Sequence, residues 1–209
     1  MDRGGHRPRL SLKSVHIGAF IERSPSNGPV VTDPAPTAAD TTEPHILVRP
    51  ARTSDVPAIQ ALVEPLVQKR ILLGKDRVVF YESVQEFKVV EDEHGVLIGC
   101  GALHVMWEDL GEVRTLAVAD EWLHHGIGHR ILDRIEEDAR ELGLSRLFCL
   151  TFETGFFGRH GFDAIGEDIV APEVYAELLR SGDEGVAEFL DLSRVKPNTL
   201  GNTRMLKTL

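Results

Sequence analysis

Residues 116–143, LAVADEWLHHGIGHRILDRIEEDARELG, carry the reading that decides the fold. A strand end runs into a loop of histidines interrupted by Gly126 and Gly128, and the loop opens a long amphipathic helix. Ile127, Ile131, Ile135, Ala139 and Leu142 recur at helical spacing, with acids and arginines on the other side. The first turn of a helix leaves backbone N–H groups without intrahelical acceptors, and the helix dipole adds positive potential there. Such a loop suits an anion, most often a phosphate. Two common owners of phosphate loops are excluded. A P-loop needs Lys and Ser/Thr directly after its last Gly, where this chain has His129 and Arg130; a dinucleotide-binding turn needs a third Gly, where it has Ile131.

Working outward, EVRTLAV at 112–118 reads as the strand entering the loop, and SRLFCLTF at 145–152 as the strand after the helix. An ordinary right-handed crossover makes these two strands parallel. Upstream, ILVRP reads as a first strand. Thr53 to Asp55 offer helix-capping side chains with Pro57 in the first turn, and Val56, Ile59, Leu62, Val63 and Leu66 keep helical spacing. A basic stretch with Lys69, Arg70, Lys75 and Arg77 leads into a second helical segment ending near Glu86. FKVVE at 87–91 and VLIGCGALHVMW at 96–107 form a strand pair across a DEHG turn. A short helix near 156–160, a strand near 162–165, a helix at 172–180 and a final strand RMLKTL complete the expected order. The pattern predicts an α/β fold of the α+β kind, a central twisted mixed sheet flanked by helices.

Bulk properties bound the function. A chain of 209 residues with 42% hydrophobic content can bury one sizeable core, and its net charge of −10 argues against a nucleic-acid partner. No apolar run approaches the ~18 residues of a membrane span, so no membrane partner is expected. Cys100 and Cys149 both lie in apolar strand-like runs and read as reduced core residues, which fits a cytoplasmic location. Residues 1–44 hold six of the eleven prolines and no periodic apolar pattern, so they are expected to be a disordered extension ahead of one domain at 45–209.

The succession EVRTLAV, HHGIGHRIL, SRLFCLTF and FFGRHGF resembles the core of the GNAT N-acetyltransferase superfamily, and VRPARTSDVPAIQALV is similar to that superfamily's first strand and helix. Within it, VVEDEHGVLIGCGAL, LGLSRLFCLTFETGFFGRHGF and NTRMLKTL resemble the acetyltransferase domain of N-acetylglutamate synthases, in particular the short actinobacterial type. The resemblance implies a GNAT fold and acetyl-CoA as co-substrate, with no metal. It assigns the pantetheine arm to the backbone of Leu116, Ala117 and Val118, and the pyrophosphate to His124, His125, Gly126, Ile127, Gly128 and His129, with Arg130 reaching a CoA phosphate. It also implies a small-molecule acceptor, L-glutamate, acetylated on its α-amino group at the opening of arginine biosynthesis, and leaves room for a homodimer. One departure is informative: many GNAT enzymes carry a Tyr in the short helix before the GF pair, where this chain has Phe157, as glutamate-acetylating relatives also tend to. The proton donor for the CoA thiolate is thereby left unassigned.

Acetyl transfer to an amine needs a neutral amine, a polarised thioester carbonyl and an acceptor for one proton. Strict strand alternation puts Glu112, Arg114, Leu116 and Val118 on one face, which makes Glu112 the expected base and Glu153 the reserve. A dicarboxylate acceptor needs local cations, for which Lys75, Arg114 and Arg204 are the candidates. His125 and His129 stand four apart, but intervening glycines and the lack of a nearby third ligand speak against a metal pair. Other acceptors stay open: glutamine, another amino acid, a polyamine or a protein N-terminus. So does a non-catalytic acyl-CoA sensor.

Overall fold

A computed structural model describes residues 46–166, 170–190, 192 and 201–209. The extension expected at 1–44 lies outside the described residues. Seven strands form one mixed sheet in the order β1-β2-β3-β4-β5-β7-β6: β1 (Leu47–Pro50), β2 (Phe87–Glu91), β3 (Leu97–Trp107), β4 (Leu110–Val118), β5 (Arg146–Thr151), β6 (Asp163–Ala164) and β7 (Thr203–Thr208). Every pairing is antiparallel except β4 with β5, which is parallel as the crossover rule requires. The helices are α1 (Val56–Gln68), α2 (Arg77–Glu82), α3 (Ile127–Glu141), α4 (Thr154–Arg159), α5 (Pro172–Leu178) and α6 (Glu184–Phe189).

Periodicity explains which face each helix covers. Ile127, Ile131, Leu132, Ile135 and Ala139 of α3 are buried against Val113, Leu147, Cys149 and Met205 on one side of the sheet. Val56, Ile59 and Val63 of α1 are buried against Val89, Cys100 and Ala117 on the other. A third cluster seats Leu178 of α5 with Val186 and Phe189 of α6 over Leu110 and Phe148. Both cysteines are free and buried. Burial pushes the Cys100 thiol up to about 12 and raises that of Cys149 as well, so neither is a nucleophile at neutral pH.

Four features differ from the sequence expectation. Leu142 is 62% exposed rather than on the core face, because the helix stops at Glu141 and Gly143, at φ +85°, turns the chain away. Asp55 caps no helical N–H: its carboxylate accepts from the backbone N–H of Arg52 and from Arg49. Helix α6 was not foreseen. The last difference concerns β4. Cys100 faces Ala117 and Ala102 faces Arg114, so Thr115 and Leu116 stand opposite Gly101 alone, a bulge in which Thr115 takes φ +53°. Alternation therefore breaks: Leu116 and Val118 pack with Val113 on the α3 side, and Ala117 on the α1 side. Glu112 and Arg114 do not share their face.

Candidate active site

The parallel ladder between β4 and β5 is short. It pairs Leu110, Gly111 and Glu112 with Arg146, Leu147 and Phe148 and then stops, while β5 continues with β7. Beyond Glu112 the two strands part, and the β4 edge from Val113 to Val118 has no β5 partner. Leu116, Ala117 and Val118 thus present backbone groups to an open fork, as an extended pantetheine-like arm requires. The fork leads to the N-terminus of α3. Gly126 sits there at φ +78°, no side chain caps the helix, and the first-turn N–H groups of Ile127, Gly128 and His129 are left for an anion. His124 also takes a positive φ, +66°, as the loop tightens.

The loop histidines separate. His125 sets its Nδ1 3.0 Å from the Leu123 carbonyl, whereas His129 packs at a tilt against Phe156, stacks on His160 and places its Nδ1 2.6 Å from Nε2 of His160. Arg130 is exposed and extends one guanidinium nitrogen to the Ile46 carbonyl, at 3.4 Å.

Glu112, the last residue before the fork, is 4% exposed. Its Oε2 accepts from Nε of Arg114 at 2.5 Å, and Arg114 in turn donates two hydrogen bonds to Asp183, one of them at 3.0 Å. Burial raises the Glu112 carboxyl above the ordinary carboxylate range, against the opposing pull of Arg114. For Asp183 burial works upward too, yet the Arg114 hydrogen bond and charge hold it below its ordinary value. Asp183 also accepts from the Val186 N–H, capping α6. Lys75 is half-buried and forms no ion pair among the described residues; desolvation and the charge of Arg114 lower its pKa, partly offset by Glu112, Asp183 and Glu86. The geometry gathers Glu112, Arg114 and Lys75 around one cluster. Arg204 is elsewhere in role: its guanidinium donates to the carbonyls of Phe189 at 2.8 Å and Gly166 at 3.0 Å, tying the end of α6 to the sheet. Glu153 is exposed just beyond β5.

Two acids of this cluster escaped the sequence reading, Asp183 and Glu188. Glu188 on α6 is 6% exposed, and its Oε1 has no hydrogen-bond partner among the described residues. Burial, then the charges of Glu112 and Glu184, push its carboxyl up to about 7. Gly185, between them, rests directly on the ion pair: a Cβ there would overlap Glu112 Oε2 and Arg114 Nη2. The signal was present in SGDEGVAEFL, where Asp183 precedes Val186, Phe189 and Leu190 at helical spacing.

An open sheet fork leading to an uncapped helix N-terminus, with a buried carboxylate at its root, is the layout of an acyl-CoA N-acyltransferase. The chain belongs to the GNAT acetyltransferase family. The acetyltransferase (GNAT) family profile matches residues 63–162. An amino-acid acetyltransferase of Mycobacterium tuberculosis is 59% identical over 165 residues, covering 78% of this chain and 94% of that protein. A solved structure from the same organism, in complex with CoA and NLQ, superposes with a TM-score of 0.75 at 59% identity over 78% of this chain and 99% of that one. The N-acetylglutamate synthase of Neisseria gonorrhoeae, complexed with coenzyme A and N-acetyl-glutamate, gives a TM-score of 0.63 at 29% identity, with 80% of this chain covering 36% of that longer one.

Proposed function

We propose that this chain transfers acetyl from acetyl-CoA to the α-amino group of L-glutamate, with Glu112 as general base. The observation that carries the reading is the placement of Glu112: buried at the root of the β4/β5 fork, oriented by Arg114, and faced by Lys75. The fork and the α3 N-terminus hold the thioester by its arm and pyrophosphate. Glu112, directly or through one water, takes a proton from the acceptor ammonium; the neutral nitrogen attacks the thioester carbonyl. The tetrahedral adduct loses its remaining excess N–H proton to solvent and expels the CoA thiolate as the C–S bond breaks, and solvent protonates the sulfur. A carboxyl whose pKa is raised by burial is a better proton acceptor near neutral pH than an exposed one. Lys75 supplies positive charge for an acceptor carboxylate. That the relatives include a structure with N-acetyl-glutamate supports the choice of acceptor, and with it a reaction at the entry to arginine biosynthesis.

One observation favours a second reading, glutamine. Arg114 is engaged by Glu112 and Asp183, which leaves Lys75 as the cation facing the cluster without an ion pair among the described residues. An acceptor with a neutral side chain places fewer negative charges there. The test is release of free CoA thiol across a panel of amino acids, polyamines and peptides. Turnover greatest with glutamate upholds the first reading, greatest with glutamine the second. Tight acetyl-CoA binding with no turnover of any amine overturns both.

A further inference from the structure

Glu188 is the buried group that the mechanism leaves without a task. Glu188 is 6% exposed, its Oε1 has no partner among the described residues, and α6 holds it beside Glu112 on the acceptor side of the sheet. A buried polar atom without a hydrogen bond is costly unless a ligand supplies one. Among the described residues, Arg114 is engaged by Glu112 and Asp183, and Arg204 by the carbonyls of Phe189 and Gly166. Resting on the amino-acid acceptor reading above, we propose that Glu188 is a specificity-determining carboxyl of the acceptor site, meeting the side-chain end of the bound amino acid. Protonated, it donates a hydrogen bond to a side-chain carboxylate; ionised, it repels that carboxylate and accepts from a side-chain amide.

Local charges set the balance. Glu112 and Arg114 face it from β4, and Asp183 and Glu184 share its own helix segment. Lys75, before α2, and His104, on β3, act on Glu112 within the same cluster; His104 is itself 2.8 Å from Glu86. Burial first, and then the excess of acids over cations around Glu188, holds its proton to near neutral pH. Acceptor preference should therefore turn with pH inside the physiological range.

The experiment measures kcat/KM for glutamate and for glutamine from pH 6 to pH 8.5 in the wild type, E188Q and E188D. The ratio cancels the ionisation of Glu112 and the very similar amine titrations of the two acceptors. In the wild type the glutamine-to-glutamate ratio is expected to rise about tenfold through this range, the scale of one charge acting across a partly desolvated site. E188D keeps the rise, and E188Q flattens it. A ratio that is flat in the wild type, or that rises equally in E188Q, overturns the assignment while leaving the acetyltransferase reading intact. Turnover of neither amino acid overturns that reading, and this assignment with it. A structural role for Glu188 would lower both rates together and leave the ratio alone.

Discussion

At the residue scale the site turns on how one carboxylate is kept ionisable yet buried. Burial raises the Glu112 carboxyl; the charge of Arg114 and its hydrogen bond at 2.5 Å oppose that, and Asp183 fixes the guanidinium from behind. Glu112→Gln keeps the shape and removes the base. It is expected to lower kcat by about 10²- to 10⁴-fold with little change in the KM for acetyl-CoA, measured by thiol release. A near-normal rate at pH 7 removes Glu112 from that role. In the proposed site Lys75 has a different signature, because its task there is to supply charge to the acceptor rather than to move a proton. For Lys75→Met, KM for the amino acid should rise about tenfold or more while kcat changes far less. An equal fall in kcat with unchanged KM would place Lys75 outside the acceptor site.

At the scale of elements, the long periodic pieces were legible and the short irregular ones were not. Helix α3, α1 and strand β5 follow from apolar spacing alone, and the glycines at 126 and 128 mark the uncapped N-terminal end of α3 directly. The bulge in β4 is invisible to alternation: no Gly or Asn flags it, and Thr115 is driven to φ +53° by tertiary pairing with β3. Helix α6 is hard to read in the sequence because it is six residues long, holds Gly185 and is preceded by Gly182. Its glycine at 185 is required by contact rather than flexibility, since the Glu112–Arg114 pair fills the space a side chain would need. Gly185→Ala should push α6 off that pair, destabilising the fold by about 1–3 kcal/mol in thermal or urea unfolding and reducing kcat. Gly182, where a Cβ would meet nothing within 4 Å, is the control, and its Ala variant should match the wild type. An equal loss at the two positions would show that the collision is not the cause, since Ala raises helix propensity and cannot by that route destabilise α6.

At the scale of the whole molecule, a sheet that parts at its centre must be held together by other means. Helix α3 spans the two halves and ties each with a charge pair: Asp138 to Lys88 of β2 at 2.5 Å, and buried Glu136 to Lys207 of β7 at 2.6 Å. The fork can then stay open for a ligand while the domain remains closed around it. On the far face, α6 is held by Arg204 through the Phe189 carbonyl, and there the molecule accepts an energetic conflict, a buried Glu188 whose Oε1 has no partner among the described residues. That conflict makes stability depend on pH. Glu188 titrates near its ordinary 4.5 when unfolded and at about 7 when folded, so between these values the native state holds a proton the unfolded chain has lost. Unfolding free energy contributed by this group therefore falls as pH rises from about 4.5 to about 7, and is level on either side. His160, lowered by burial, works in the opposite sense below its ordinary 6.5, and Asp183 contributes stability that is lost only in acid. Comparison with E188Q removes both of these from the account. The wild-type Tm minus the E188Q Tm should decline steadily from pH 4.5 to pH 7 and then level off, measured without ligand. A difference independent of pH would mean that Glu188 titrates alike in both states, and that α6 leaves its carboxyl in water.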